Sequence, residues 1–253
     1  SRGAVAILMA NTPEYIAAYR GATWSGRRLT PCSTRWTADD VAYVVGNCEA
    51  DALVVDARYA ELVGEAARRI DPSRRFVVGP AAAGLDGFRS WSEVEALSGA
   101  PYEKPLCGEN MLYTSGTTGR PKGVLRPNAP AGPPPTMTAL SGAAMMTAFL
   151  PEGARDGIHL VSSPLYHAGP NAYCDGALLL GADLVLMERF EPEAFLEAVE
   201  HHRATSTFLV PTHFVRLLRL PPEVRRRYDL SSLSLVCHGS APVSIEVKRA
   251  MID

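Results

Sequence analysis

Asp183-Leu-Val-Leu-Met-Glu-Arg-Phe-Glu-Pro-Glu-Ala-Phe-Leu-Glu-Ala-Val-Glu-His-His-Arg-Ala-Thr-Ser-Thr-Phe-Leu-Val210 reads as strand, helix, strand. Asp183–Met187 and Thr207–Val210 are nearly continuous apolar runs, the pattern of strands covered on both faces. Between them, Glu191-Pro192 opens a helix in which Phe195, Leu196 and Val199 recur at helical spacing. The same alternation extends outward in both directions. Val5–Met9, Ala52–Val55, Phe76–Val78, Met111–Thr114, His159–Ser162 and Leu233–Cys237 are further strand candidates. Thr12-Pro13 offers an N-cap followed by Pro, and Thr37-Ala-Asp-Asp40 has capping-box spacing. Strand–helix–strand alternation implies right-handed crossovers, so the expected class is α/β, with mostly parallel sheets flanked by helices. The expected division is a first α/β subdomain over residues 1–100 and a second over 101–253, with the boundary in Ser98–Gly108. Pro127–Pro135 is a proline-rich loop.

With 253 residues and 47% hydrophobic content, the chain can bury a sizeable core. Its net charge of -2 gives no general basic field for nucleic acid or anionic membrane. Arg225-Arg226-Arg227 reads as the solvated end of a helix. The longest apolar run, Ala177–Met187, is broken by Gly181 and Asp183 and is too short to span a membrane. Cys32, Cys48, Cys107, Cys174 and Cys237 are dispersed without metal-ligand spacing, which suggests reduced thiols in a cytoplasmic protein. No signal peptide is recognisable. Ser1 leads straight into an apolar run, and Lys248–Asp253 lie inside an unfinished helical pattern; a portion of a larger protein is expected. A homodimer is left open.

Leu112-Tyr-Thr-Ser-Gly-Thr-Thr-Gly-Arg-Pro-Lys-Gly123 carries the strongest chemical signal. Positions 114–123 hold three Gly, three Thr, one Ser and one Lys. Glycines admit a ligand close to the backbone, hydroxyls and amides donate, and Lys122 adds a point charge, a set suited to polyphosphate oxygens. A Walker loop is excluded because Gly123, not Ser or Thr, follows Lys122. By composition alone, a polar turn fits equally well.

Tyr113–Gly123 closely resembles the signature loop of the acyl-adenylate-forming (AMP-binding) superfamily, in its acyl-CoA synthetase or ligase type. The resemblance implies that the loop closes over the β- and γ-phosphates of ATP, carried here by Thr114, Ser115, Gly116, Thr117, Thr118, Gly119 and Lys122. Pro164-Leu-Tyr-His-Ala-Gly169 is similar to the loop whose His lies beside the carboxylate being activated; this puts Tyr166, His167 and Gly169 at the substrate. Val210-Pro-Thr-His213 resembles a loop lining the acyl pocket, and for His213 a pocket role and a core role are both compatible. His238-Gly-Ser-Ala-Pro242 resembles the turn holding adenine and the acyl adenylate, through Gly239, Ser240, Ala241 and Pro242, with Ser240 replacing a common Gly.

All four segments follow expected strands. In a parallel sheet such loops collect at the carboxyl edge, where open α/β folds bind ligands. The resemblance implies activation of a carboxylic acid, fatty or otherwise apolar, by ATP with Mg2+ and transfer to coenzyme A, with Lys122 and His167 as catalytic groups. Another acceptor, such as a carrier-protein thiol, and a non-catalytic nucleotide-binding homologue are the alternatives. Two departures are visible. Leu125-Arg126-Pro127 and a proline-rich insertion replace the family's usual Thr-His segment. The adenine-stacking Tyr-Gly-x-Thr-Glu motif, the ribose-binding Asp and the C-terminal domain with its catalytic Lys are expected beyond Asp253. No metal site is expected at the adjacent His201-His202, since neighbouring helical residues do not face one ligand. Trp24, Trp36 and Trp91 are read as core residues.

Overall fold

The computed structural model describes residues 3–80, 85–97, 106–108, 110–114, 119–125 and 135–252. It has two compact units, Ser1–Thr136 and Met137–Asp253. This division falls later than the boundary expected near residue 100. Backbone pairing explains the difference: isolated parallel bridges join Ser25 to Leu106 and Leu29 to Asn110, and the Met111 amide donates to Leu29 at 2.8 Å. The segment leading into the Gly-rich loop is thereby tied to the first unit.

In the first unit, β1 (Ala4–Leu8), β2 (Arg28–Pro31), β3 (Ala52–Asp56), β4 (Arg75–Val78) and β5 (Arg89–Ser90) form a wholly parallel sheet in the order β2-β1-β3-β4-β5. Helix α1 (Pro13–Trp24) starts at Thr12, whose hydroxyl accepts from the Tyr15 amide at 3.3 Å. Helix α2 (Ala38–Asn47) starts in a full capping box between Thr37 and Asp40. The buried Val41, Val44 and Val45 of α2 pack on Leu8, Leu53, Val55 and Val77 from the sheet. The short helix α3 (Gly64–Ala67) joins this layer, with Ala66 and Ala67 buried in the same cluster, whereas α4 (Trp91–Glu95) lies with α1 over the other face, beside Val5, Val54 and Phe76. The antiparallel pair β6 (Leu112–Thr114) and β7 (Lys122–Val124) stands apart from the main sheet. Trp24 is not a core residue: it is 39% exposed, with the Arg20 guanidinium 5.0 Å over its ring.

In the second unit, α5 (Met137–Phe149) precedes β8 (Ile158–Val161), α6 (Ala168–Leu179), β9 (Asp183–Leu186) and α7 (Pro192–His202). Then come β10 (Ser206–Leu209), α8 (Pro211–Leu218), α9 (Pro222–Arg225), β11 (Leu235–His238) and α10 (Ile245–Ile252). The sheet order is β11-β10-β8-β9, all parallel. Phe195, Leu196 and Val199 of α7 are buried with Leu160, Leu209, Phe214 and Leu217, as the helical spacing implied. His201 and His202 sit in the last turn of α7, and among the described residues no group of three His, Cys, Asp or Glu is placed to hold a metal. Arg226 and Arg227, just after α9, are exposed.

Helices α5 and α6 approach so closely that a Cβ on Gly142 would lie 1.8 Å from the Ala172 carbonyl oxygen. Gly153, by contrast, has no neighbour among the described residues within 4 Å of where a Cβ would lie. Gly142→Ala should therefore lower the unfolding free energy by about 1–3 kcal/mol despite alanine's better helix propensity. Gly153→Ala should leave the urea midpoint unchanged.

Candidate functional site

In the first unit the hairpin sets Thr114 directly opposite Lys122, both exposed where the strands enter the connecting loop. Lys122 forms no ion pair among the described residues. Gly119 takes φ of +94°, a left-handed backbone that glycine adopts without strain, and Pro121 follows two residues later. Ser115, Gly116, Thr117 and Thr118 lie outside the described residues. One cross-strand pair, Tyr113 and Gly123, explains the last glycine of the motif. A Cβ at position 123 would come within 2.8 Å of the Tyr113 ring and 2.4 Å of Met111 Cε. With that space clear, the buried Tyr113 donates its hydroxyl to Asn47 Oδ1 and meets Trp36 edge-on at 6.3 Å.

In the second unit three loops leave the carboxyl edge of one parallel sheet. After β8, the buried Ser163 hydroxyl donates to the Phe208 carbonyl at 3.2 Å, and the chain turns with the His167 amide bonded to the Pro164 carbonyl. His167 occupies the N-cap position of α6 with an exposed side chain, its ring 4.6 Å from that of the buried Tyr166. After β11, Gly239 leads to Ser240, whose φ of +68° is a left-handed conformation that costs a non-glycine residue roughly 1–2 kcal/mol. A glycine would rest there without that cost, which accounts for the residue type common in the resembling turn. Ala241 and Pro242 continue the turn exposed.

Phe208 of β10 lies between these two loops. A Cβ on Gly169 would sit 2.6 Å from its ring, and one on Gly239 would sit 3.3 Å away. Tyr173, one turn further along α6, packs on the same ring at 5.0 Å and hydrogen-bonds the Cys237 thiol of β11. Burial, with that hydrogen bond, raises the Tyr173 hydroxyl above its ordinary range. Of the four motif segments, therefore, three share one sheet edge as expected. The Gly-rich loop does not follow a parallel strand; it joins the two strands of an antiparallel hairpin.

The AMP-binding enzyme family matches the chain over residues 1–253. The chain belongs to that family. Indoleacetate–CoA ligase from Aromatoleum aromaticum is 30% identical over 252 residues, covering 96% of this chain and 46% of that protein. A medium/long-chain-fatty-acid–CoA ligase of Mycobacterium tuberculosis is 28% identical, over 95% of this chain and 42% of its own length. Among solved structures, the amide bond synthetase McbA from Marinactinospora thermotolerans is 28% identical with a TM-score of 0.72, covering 98% of this chain and 47% of that one. The chain thus spans a little under half the length of these curated relatives.

Sequence reasoning did not single out Phe208 or Tyr173 in this AMP-binding chain. Their signal was indirect, in Gly169, which the Phe208 ring requires, and in Gly239, which eases the approach of the same ring. His213, at the start of α8, is buried and stacked on Phe190 with ring centroids 3.8 Å apart and planes 7° from parallel. Arg216 sits 5.2 Å over Phe190 and donates to its carbonyl. Packing is thus a visible role of His213, and its buried Nδ1 has no hydrogen-bond partner among the described residues.

Burial, reinforced by the charge of Arg216, pushes the His213 imidazole down to about 4. Burial alone does the same to His159, also about 4, whose Nδ1 lies 2.9 Å from the Ser206 hydroxyl. An unfolded histidine titrates near 6.5, so between pH 6.5 and 4 the unfolded chain binds more protons than the folded one. Stability should be fully present above pH 6.5 and fall as the pH drops toward 4, by roughly 1.4 kcal/mol per pH unit for each group. His213→Phe, which keeps the stack and removes the unpartnered nitrogen, should flatten this acid limb in thermal melts while leaving the pH 7.5 midpoint unchanged or raised. An acid limb as steep as that of the parent would refute the assignment.

Proposed function

We propose that the full-length protein uses ATP to activate a carboxylic acid as an acyl adenylate and passes the acyl group to coenzyme A. The observation that carries this reading is the hairpin that sets Thr114 beside Lys122 at the mouth of the Gly-rich loop, in a chain matched throughout by the AMP-binding family. In the first step a carboxylate oxygen attacks the α-phosphorus and the bond to the bridging oxygen breaks, releasing pyrophosphate. Thr114, Gly119, Lys122 and the intervening Ser115–Thr118 hold the phosphates and the departing charge, so their work is positioning and electrostatic. His167, exposed at the head of α6, orients the carboxylate. Tyr166, Gly169 and His213 are assigned to the acyl side, and Gly239–Pro242 to the adenine side. In the second step the thiol sulfur bonds to the acyl carbon, its proton is lost, and AMP leaves. Magnesium enters as the ATP complex.

The acid is apolar, either fatty or aromatic. The aromatic surroundings of Tyr166, Phe208 and Tyr173 and the names of the relatives support this. None of the five cysteines forms a disulfide, which fits work in the cytoplasm, and a homodimer is compatible with the reading. Among the described residues no helix is long and apolar enough to cross a membrane. A second reading keeps the adenylation and changes the acceptor, to a carrier-protein thiol or an amine; the likeness to the amide bond synthetase favours including it.

Pyrophosphate release from the full-length protein, screened over fatty and aromatic acids with coenzyme A or an amine, tests both readings. Release with no acid in the panel would reject them. Lys122→Ala should slow adenylation about a hundredfold or more, because its charge faces oxygens that become more negative as pyrophosphate leaves. The thioester step, begun from supplied acyl adenylate, should be unchanged.

A further inference from the structure

We infer that Tyr43 and Arg120 are positioning residues that fasten the phosphate loop to helix α2. The guanidinium of Arg120, in the middle of the motif, lies 5.0 Å over the ring of Tyr43. The backbone around it is constrained, with Gly119 left-handed on one side and the fixed ring of Pro121 on the other. Four residues along α2 from Tyr43, on the same face of the helix, Asn47 accepts the hydroxyl of Tyr113 from β6. Both arms of the hairpin are therefore attached to one face of one helix, β6 through Asn47 and the approach to β7 through Tyr43. Trp36, just ahead of α2, supports Tyr113 edge-on. The helix itself is a firm base, with Val41, Val44 and Val45 at 0–1% exposure.

The charges nearby do not hold Arg120 by themselves. Asp39, Tyr43, Asn47, Glu65, Arg69 and Arg120 line a polar cavity of about 430 Å3, in which two acids face two bases. Glu65 is already 3.6 Å from Arg69. Among the described residues the aromatic face is the specific contact that remains, and such contacts are worth enough to matter, about a factor of two at exposed sites to about thirty when desolvated.

The kinetic arm of the test rests on the proposed adenylation; a structural arm does not. In the full-length protein, Arg120→Met and Tyr43→Leu should each raise KM for ATP about threefold to tenfold in pyrophosphate release. The double variant should be no worse than either single one, since both remove the same contact. Tyr43→Phe should behave as the parent, and the thioester step from supplied acyl adenylate should not change in any variant. In the structural arm, hydrogen exchange at the amides that pair β6 with β7 should quicken in both single variants and not in Tyr43→Phe. Additive losses, or a loss with Arg120→Met alone, would overturn the inference in favour of direct phosphate contact or separate roles. Unchanged exchange in both single variants would also overturn it. If the parent protein releases pyrophosphate with no acid, the adenylation reading fails and the exchange result still decides this one.

Discussion

Parallel pairing in the second unit determines where its functional loops can be. When every neighbour of β10 runs the same way, each connection must climb back over a face of the sheet, and all strand ends of one polarity meet at one edge. Residues 162–167, 210–213 and 239–242, widely separated in sequence, are gathered by that requirement alone. The central pairing is reinforced by buried polar contacts. His159 of β8 meets Ser206 of β10 at 2.9 Å, and the Thr207 hydroxyl donates to the Leu160 carbonyl at 2.7 Å. Inside a low-dielectric core such satisfied pairs favour one register over its neighbours.

The phosphate loop is positioned by other means. Its hairpin is antiparallel and contributes no strand to the parallel sheets; sheet pairing reaches only its approach, where Asn110 bridges to Leu29 of β2 and the Met111 amide donates to the Leu29 carbonyl. Beyond that point side chains hold it, through Tyr113 on Asn47 and Trp36 and through Arg120 on Tyr43. The last glycine of the motif belongs to this anchoring, since it clears the path for the Tyr113 ring. A motif usually explained by its ligand is, at Gly123, explained by packing.

This difference also accounts for what the amino-acid sequence disclosed and what it did not. Continuous apolar runs identified β1, β3, β4, β8, β9, β10 and β11 to within two residues; burial explains the signature in β1, β3, β8 and β10, whereas the edge strands β9 and β11 carry it while partly exposed. Helix starts at Thr12, Thr37 and Glu191 were equally plain, since capping is local chemistry; at Glu191, however, the carboxylate bonds Arg216 instead of capping the helix. Strand β2, with Arg28, Thr30 and Pro31, carries no such apolar run and passed unnoticed, as did the exposed β7. The three carboxyl-edge loops were legible by motif and position. The anchoring role of α2 was not, because Tyr43 and Asn47 reach residues 77 and 66 positions away in the chain through tertiary contacts alone.

Phe208 reaches positions 169 and 239, which are seventy residues apart, but constrains them unequally. Its ring lies 2.6 Å from where position 169 would carry a β-carbon, too close for any side chain without a shift, and 3.3 Å from the same point at position 239, which a movement of a few tenths of an ångström would relieve. Alanine at position 169 therefore calls for a smaller residue at 208, whereas position 239 can take alanine with the ring nearly in place. A library that varied 169 alone would find the site intolerant; one that varied 169 and 208 together would find it permissive.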